Sequence, residues 1–172
     1  MNFSAIILLF ATLFSGPFTS CNKSRSADAE NKALTQSDMK NVSYGSDSAQ
    51  KMDVYLPEGR NNDSTKIIVF IHGGSWSGGD KSEFNEAIVA LRKQLPDFAM
   101  FNINYRLVRY GGVNRFPAQI DDIKAALNFI DNNASDYNIN PEKIVLVGAS
   151  AGAHLASSFY SRKNLRLSAA SS

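Results

Sequence analysis

Two glycine-framed segments carry residues able to do chemistry. Gly148-Ala149-Ser150-Ala151-Gly152 sets a serine between two glycines. A serine hydroxyl attacks an acyl carbonyl only if it stands clear of its surroundings, and a tight turn achieves that. Glycine on either side lets the flanking strand and helix close in. The N–H of Ala151, at the start of a helix, can point at a developing negative charge. His72-Gly73-Gly74-Ser75-Trp76 is the second segment. A double glycine lets backbone approach a ligand closely. The N–H groups of Gly73 and Gly74 can then join that of Ala151 around an oxyanion. The chemistry implied is acyl transfer through Ser150. On this reading His72 orients its loop and is not a base. Trp76 either lines the acyl side of a pocket or anchors the loop. His154 lies four residues beyond Ser150 on the same helix, which carries it off the exposed face.

A G-x-S-x-G match is weak alone, because chance supplies one in about ten sequences of this composition. The elements around it sharpen it. Ile144-Val145-Leu146-Val147 runs directly into the motif, and an apolar helical pattern with Leu155 and Phe159 follows. That is strand, turn, helix. Two more apolar runs, Ile67–Ile71 and Phe98–Phe101 with Ile103, suit strands buried on both faces. Between the runs lie two helical stripes: Phe84, Ile88, Leu91 and Leu95, then Ile120, Ile123, Leu127 and Ile130. Pro96 ends the first helix and Pro117 suits the first turn of the second. Val42–Tyr44 and Met52–Leu56 add two short strands ahead of them. The order β-β-β-α-β-α-β-α predicts an α/β fold with helices on both faces of the sheet.

The chain has 172 residues, 44% hydrophobic and 20% charged. This composition excludes a disordered or fibrous protein. A net charge of +2 excludes a strongly basic nucleic-acid binder on charge alone. One cysteine excludes a disulfide framework and a cysteine zinc site, and two histidines leave little for a metal centre. Residues 1–22 carry no charge. Ala5–Phe14 is an apolar run too short to span a membrane, with the length of a signal-peptide core. Phe18-Thr19-Ser20-Cys21 resembles a bacterial lipobox, with Phe18 where an aliphatic residue is usual. The expectation is a lipoprotein-type signal peptide over 1–21, lipidated at Cys21, then a polar linker over 22–40 and the folded part from 41 to 172. The chain would then sit in the cell envelope, in the periplasm or at the outer membrane, and meet membrane through the lipid anchor only.

Four motifs in order carry a family resemblance. They are His72–Lys81, Asn104-Tyr105-Arg106-Leu107, Phe116–Asp122 and Gly148–Ala156. Together they resemble the α/β-hydrolase serine esterases of the carboxylesterase and hormone-sensitive-lipase type. Within that group they are most similar to the acetylxylan/feruloyl esterase-like and kynurenine-formamidase-like enzymes. The resemblance covers roughly residues 42–160. It implies Ser150 as nucleophile and Gly73, Gly74 and Ala151 as oxyanion donors, with Ser75 in place of the third glycine of the HGGG-type loop. It implies no metal, no organic cofactor and no nucleic acid. The substrate it implies is a small ester or an acylated carbohydrate.

The resemblance also implies a triad running Ser, then Asp or Glu, then His along the chain. No carboxylate follows Glu142, and the only later histidine is His154. The triad acid and His are therefore not present in this chain. It reads as the N-terminal part of an α/β hydrolase, truncated after the nucleophile-elbow helix, and as inactive alone. Two rivals remain open at this point. One is a non-catalytic, lipid-anchored binding module on a hydrolase-like scaffold. The other is a phosphate loop at Gly74–Ser82, where Asp80 displaces Lys81 from the position a Walker A lysine needs.

Overall fold

The computed structural model describes residues 34–159. The expected signal peptide, Cys21 and residues 22–33 of the expected linker lie outside these, as does the stretch 160–172. The elements are β1 (Ser37–Ser43), β2 (Lys51–Leu56), β3 (Lys66–Ile71), α1 (Asn85–Gln94), β4 (Phe98–Ile103), α2 (Ala118–Asn132), a single turn α3 (Ala134–Tyr137) and β5 (Ile144–Gly148). Residues 151–159 form a further helix, α4. Short 3-10 turns span Lys81–Phe84 and Tyr110–Gly112. Among the described residues no helix is long and apolar enough to cross a membrane.

The five strands lie in the order β1-β2-β4-β3-β5. β3 is parallel to both β4 and β5, whereas β2 runs antiparallel to β1 and to β4. The three apolar runs make the parallel part of the sheet, as expected, and β3 and β4 are buried on both faces; β5 is not, because it is the edge of the described sheet, with Val145 exposed. Side chains alternate between the faces of the sheet. Ile67, Val69 and Ile71 of β3 pack with Phe101 and Ile103 of β4 against Ile120, Ile123 and Ile130 of α2 and Leu155 of α4. Ile68, Phe70 and Met100 face the other way, onto Ile88 of α1 with Phe84, Leu91 and Leu95 beside it. Both predicted stripes thus cover the sheet, one on each face.

Two boundaries differ from the sequence expectation. β1 starts at Ser37 and takes in the last residues of the expected linker. Its sequence is polar because it is an edge strand whose residues are half-buried or exposed. A bulge between Met39 and Val42 interrupts its register, with Asn41 at φ 56°. Pro117 caps α2 and does not enter its first turn; the helix starts at Ala118.

The strand order creates a switch point. From β3 the chain crosses one face through α1 to β4; from β4 it crosses the other face through α2 to β5, on the far side of β3. Connections leaving β3 and β5 therefore diverge at neighbouring carboxyl ends, where crevices form in such sheets.

Two buried carboxylates tie this end together. Asp122 of α2 is fully buried and accepts from the Arg106 backbone N–H at 2.7 Å, Arg106 Nη2 at 2.6 Å and Gln50 Nε2 at 2.7 Å. It thus joins α2 to the segments after β4 and before β2. Asp53 of β2 accepts from the Asn41 N–H at 2.9 Å and pairs with Lys81 at 2.9 Å and Lys40 at 3.2 Å. Burial alone would raise the Asp53 pKa; the Asn41 N–H and the two lysines hold it below the ordinary carboxylate value. Removing one partner of a buried ion pair strands the other. Asp122→Ala is therefore expected to cost about 3–5 kcal/mol of stability, read as a fall in the urea midpoint. A cost similar to that of an exposed substitution such as Asp121→Ala would refute the role given to Asp122.

Candidate active site

Ser150 stands at the apex between β5 and α4, exposed, with φ 49°. That left-handed conformation is costly for a residue with a Cβ. The neighbours hold it there. The Ala149 N–H donates to the carbonyl of Ile71 at 3.2 Å, tying the turn to the end of β3. The Gly152 N–H donates to the Ala149 carbonyl at 2.8 Å. A Cβ on Gly152 would lie 2.0 Å from the Ile71 carbonyl oxygen, and one on Gly148 would lie 2.4 Å from the Gly152 carbonyl carbon. Both glycines of the motif are thus required by backbone contact. The expected collision with the helix is found at Gly148, whereas the strand that Gly152 meets is the neighbouring β3 and not the flanking β5.

The segment after β3 comes to the same place. A Cβ on Gly73 would lie 3.0 Å from the Ala149 carbonyl oxygen and 3.5 Å from Ser150 Cβ. Gly74 has φ +95°, and its carbonyl accepts from the N–H groups of Ser77 and Gly78 at 3.1 and 2.8 Å, closing a tight loop. Ser75 and Trp76 are left-handed too, at φ 51° and 62°. Ala151 is buried at the first position of α4, where a helix N–H has no acceptor in its own helix. Among the described residues, the N–H groups of Gly73, Gly74 and Ala151 donate no hydrogen bond. Three amides on the two loops are therefore free to donate, and those of Gly73 and Ala151 adjoin the serine.

The loop is tied down at its far end. Asp80 caps the 3-10 turn, accepting from the Ser82 N–H at 2.8 Å and from Asn104 Nδ2 at 2.7 Å. Burial alone would raise its pKa, but Ser82, Asn104 and Lys81 bring it down to about 2. Lys81 is turned inward onto Asp53. A phosphate loop needs that lysine free beside the ligand and no fixed carboxylate next to it. The arrangement meets neither condition.

Neither histidine is placed as a base. His72 is buried, stacks on Tyr105 with ring centroids 4.3 Å apart, and holds Nδ1 2.8 Å from the Gly73 carbonyl oxygen. Burial lowers its pKa below 6.5, against smaller opposing effects of Gly73, Glu83 and Asp80. It orients the loop, as the sequence suggested. His154 packs edge-on against Trp76 at 5.4 Å. Among the described residues neither ring hydrogen-bonds Ser150 or a carboxylate, and no group of three or more His, Cys, Asp or Glu could hold a metal ion.

Sequence reasoning gave Asn104 and Tyr105 no role. Tyr105 is buried beneath the loop, its hydroxyl pushed up to about 12 by burial and by Glu83. The signal was available in their position directly after β4, at the same end of the sheet as Gly73. Beside them opens a cleft of about 400 Å³ lined by Asp47, Ser48, Asp80, Asn104, Arg109 and Asn114 among others. Exposed aromatic side chains stand on the two loops at this end: Trp76, Tyr110 and Phe116.

Known proteins resemble this chain in sequence and fold. The BD-FAE family model matches residues 52–167. The isoprenylcysteine alpha-carbonyl methylesterase ICME of Arabidopsis thaliana is 30% identical over 118 residues, 68% of this chain and 26% of that protein. The kynurenine formamidase of Meyerozyma guilliermondii is 35% identical over 120 residues, 70% of this chain and 42% of that one. A solved carbohydrate esterase from gut microbiota, in truncated form, superposes with a TM-score of 0.58 at 33% identity, covering 74% of this chain and 44% of that one. The chain thus spans between about a quarter and two fifths of the length of these curated relatives. With two thirds of its residues under one family model and esterases among its structural neighbours, the chain belongs to the BD-FAE family and has the α/β-hydrolase fold.

Proposed function

We propose that this chain carries the nucleophile and oxyanion half of a serine-dependent carboxylic ester hydrolase. The observation that carries the reading is the exposed, left-handed Ser150 with Gly73 packed against its Cβ. Ser150 Oγ attacks the ester carbonyl carbon, and the carbonyl oxygen becomes an oxyanion held by the N–H groups of Gly73, Gly74 and Ala151. Collapse of this intermediate expels the alcohol and leaves an acyl-serine, which water then hydrolyses. Each amide donor in such a site is worth roughly 10²–10³ in rate. The attack needs an imidazole to take the serine proton. The chain has two histidines: His72 is buried against Tyr105, and His154 is exposed on α4, edge-on to Trp76, with neither ring hydrogen-bonded to Ser150 among the described residues. The base and its carboxylate therefore come from outside these 172 residues.

The substrate proposed is a short acyl ester on a carbohydrate. The polar cleft and exposed aromatics beside the loop suit a polyhydroxy alcohol, and the gut carbohydrate esterase supports it. We assign the chain to a bacterial cell envelope, held through a lipid on Cys21. Metabolic labelling with a palmitate analogue, lost in Cys21→Ser, tests this; label retained in that variant argues against it. That neither histidine hydrogen-bonds Ser150 among the described residues is also the observation that favours the alternative, a binding module without turnover.

Three outcomes are expected. The 172-residue chain and its Ser150→Ala variant hydrolyse p-nitrophenyl acetate at the same rate; a Ser150-dependent rate would show that a base lies within the chain. When the chain is followed by sequence supplying the acid and His, a fluorophosphonate labels Ser150, and Ser150→Ala lowers kcat by on the order of 10⁶. A serine left unlabelled in that longer chain would establish the binding module instead. The third concerns pH. His72 has a folded pKa below its unfolded value of 6.5, so its neutral form is favoured in the fold. Its contribution is complete above pH 6.5 and is lost as pH falls below that. The melting temperature should drop as pH falls below 6.5, and less steeply in His72→Phe, which keeps the ring stack. Equal slopes would mean that the fold does not lower the His72 pKa.

A further inference from the structure

We infer that Tyr105 is the positioning residue of the oxyanion loop, setting the direction of both glycine amides through the carbonyls that precede them. The inference rests on reading Gly73 and Gly74 as oxyanion donors. The Tyr105 hydroxyl lies 3.0 Å from the His72 carbonyl oxygen and 3.1 Å from the Gly73 carbonyl oxygen. One phenol proton is thus shared between two successive carbonyls. A peptide unit is planar and trans, so its N–H points away from its C=O. The His72 carbonyl belongs to the same peptide unit as the Gly73 N–H. The Gly73 carbonyl belongs to the same unit as the Gly74 N–H. Drawing both oxygens down to one buried hydroxyl turns both N–H groups the other way, out of the core.

Two glycines in succession have no side chains to fix these planes, and rotation about their φ and ψ is otherwise cheap. Other contacts fall on one plane at a time. His72 Nδ1 faces the Gly73 oxygen at 2.8 Å, and with a carbonyl as its partner that nitrogen carries the proton. The His72 oxygen lies where a Cβ on Gly152 would be only 2.6 Å away. Among the described residues, the Tyr105 hydroxyl alone bridges the two. Its ring stacks on the His72 imidazole at an interplanar angle of 8°, so it holds the same loop through ring and hydroxyl together. A hydrogen bond accepted by a carbonyl also polarises its peptide unit and strengthens the N–H on the other side as a donor.

The experiment uses the 172-residue chain labelled with ¹⁵N, weakly aligned, and reads residual dipolar couplings, which report N–H direction. In Tyr105→Phe, which keeps the ring against His72, the couplings of Gly73 and Gly74 should leave their wild-type values while those of Gly148 and Gly152 hold. A merely structural role would move all four or none. Wild-type couplings at Gly73 and Gly74 in this variant would overturn the proposal. Should Tyr105→Phe fail to fold, the unsubstituted chain still decides. Its Tyr105 hydroxyl proton must give a resolved, slowly exchanging resonance, and absence of that resonance overturns the proposal equally. No ester is turned over in either measurement. A failure of the Ser150 labelling test would therefore sink the hydrolase reading and leave this result in place, and the reverse holds too.

Discussion

Backbone meets backbone where β3 and β5 end, with no room for a Cβ between them, and the rest of the site follows from that contact. Gly152 lies so close to the Ile71 carbonyl that even alanine would collide. The first turn of α4 is therefore pressed onto the mouth of β3. Ser150, two residues earlier, has nowhere to go but outward, in a left-handed conformation. Gly73, leaving β3, passes over the Ala149 carbonyl and reaches the serine. Parallel neighbours with diverging connections make this approach possible, because both loops start from one edge and leave by opposite faces of the sheet. An antiparallel β5 would have put the elbow at the other end, away from the glycine loop.

That contact is supported from below by buried polar groups that pair with other segments of the chain. Asp53 on β2 holds Lys81 where the glycine loop ends, and Asp122 on α2 holds Arg106 where the next loop begins. Tyr44 donates to the Asn104 carbonyl at 2.5 Å, and Gln119 to the carbonyls of Arg106 and Asn114 at 2.8 and 2.7 Å. Taking such groups out of water is costly unless every one is paired. The bonds therefore add order more than net stability: they leave residues 72–81 and 104–117 one arrangement each. A glycine-rich loop needs such outside definition, since its own sequence supplies little.

How much of this was legible in the sequence depends on the range of the interaction. Ser150 and its two glycines were readable because strand, turn and helix are contiguous, and the collision that demands glycine at 148 arises within five residues; the one that demands it at 152 comes from Ile71, far off in the chain. The stripes of α1 and α2 were readable because apolar burial repeats along one element. β1 was read short because an edge strand with a bulge has no apolar alternation to show. The single turn α3 has too few residues to display a period. The order of the strands was not readable, and with it went the partners of Asp53 and Asp122. Their chemistry as carboxylates was visible, yet their partners lie 28 and 16 residues away along the chain. Tyr105 was quoted as part of a motif and given no task, because its two acceptors are backbone oxygens, which no sequence pattern marks.

The distribution of backbone strain separates the site from the scaffold. Six non-glycine residues among those described have left-handed φ. Three are asparagines, Asn41, Asn114 and Asn138, the residue type that tolerates this conformation best, and they sit in a bulge, a loop and a helix end. The other three are Ser75, Trp76 and Ser150. Each costs about 1–3 kcal/mol that glycine would avoid. For a side chain as large as tryptophan the conformation is a clear outlier. All three lie on the two loops that meet at the switch point. A scaffold relieving strain would place glycine or asparagine there, as it does elsewhere in the same chain. Serine at 150 keeps the one atom, Oγ, that glycine lacks, and the strain persists at the place where that atom has a use.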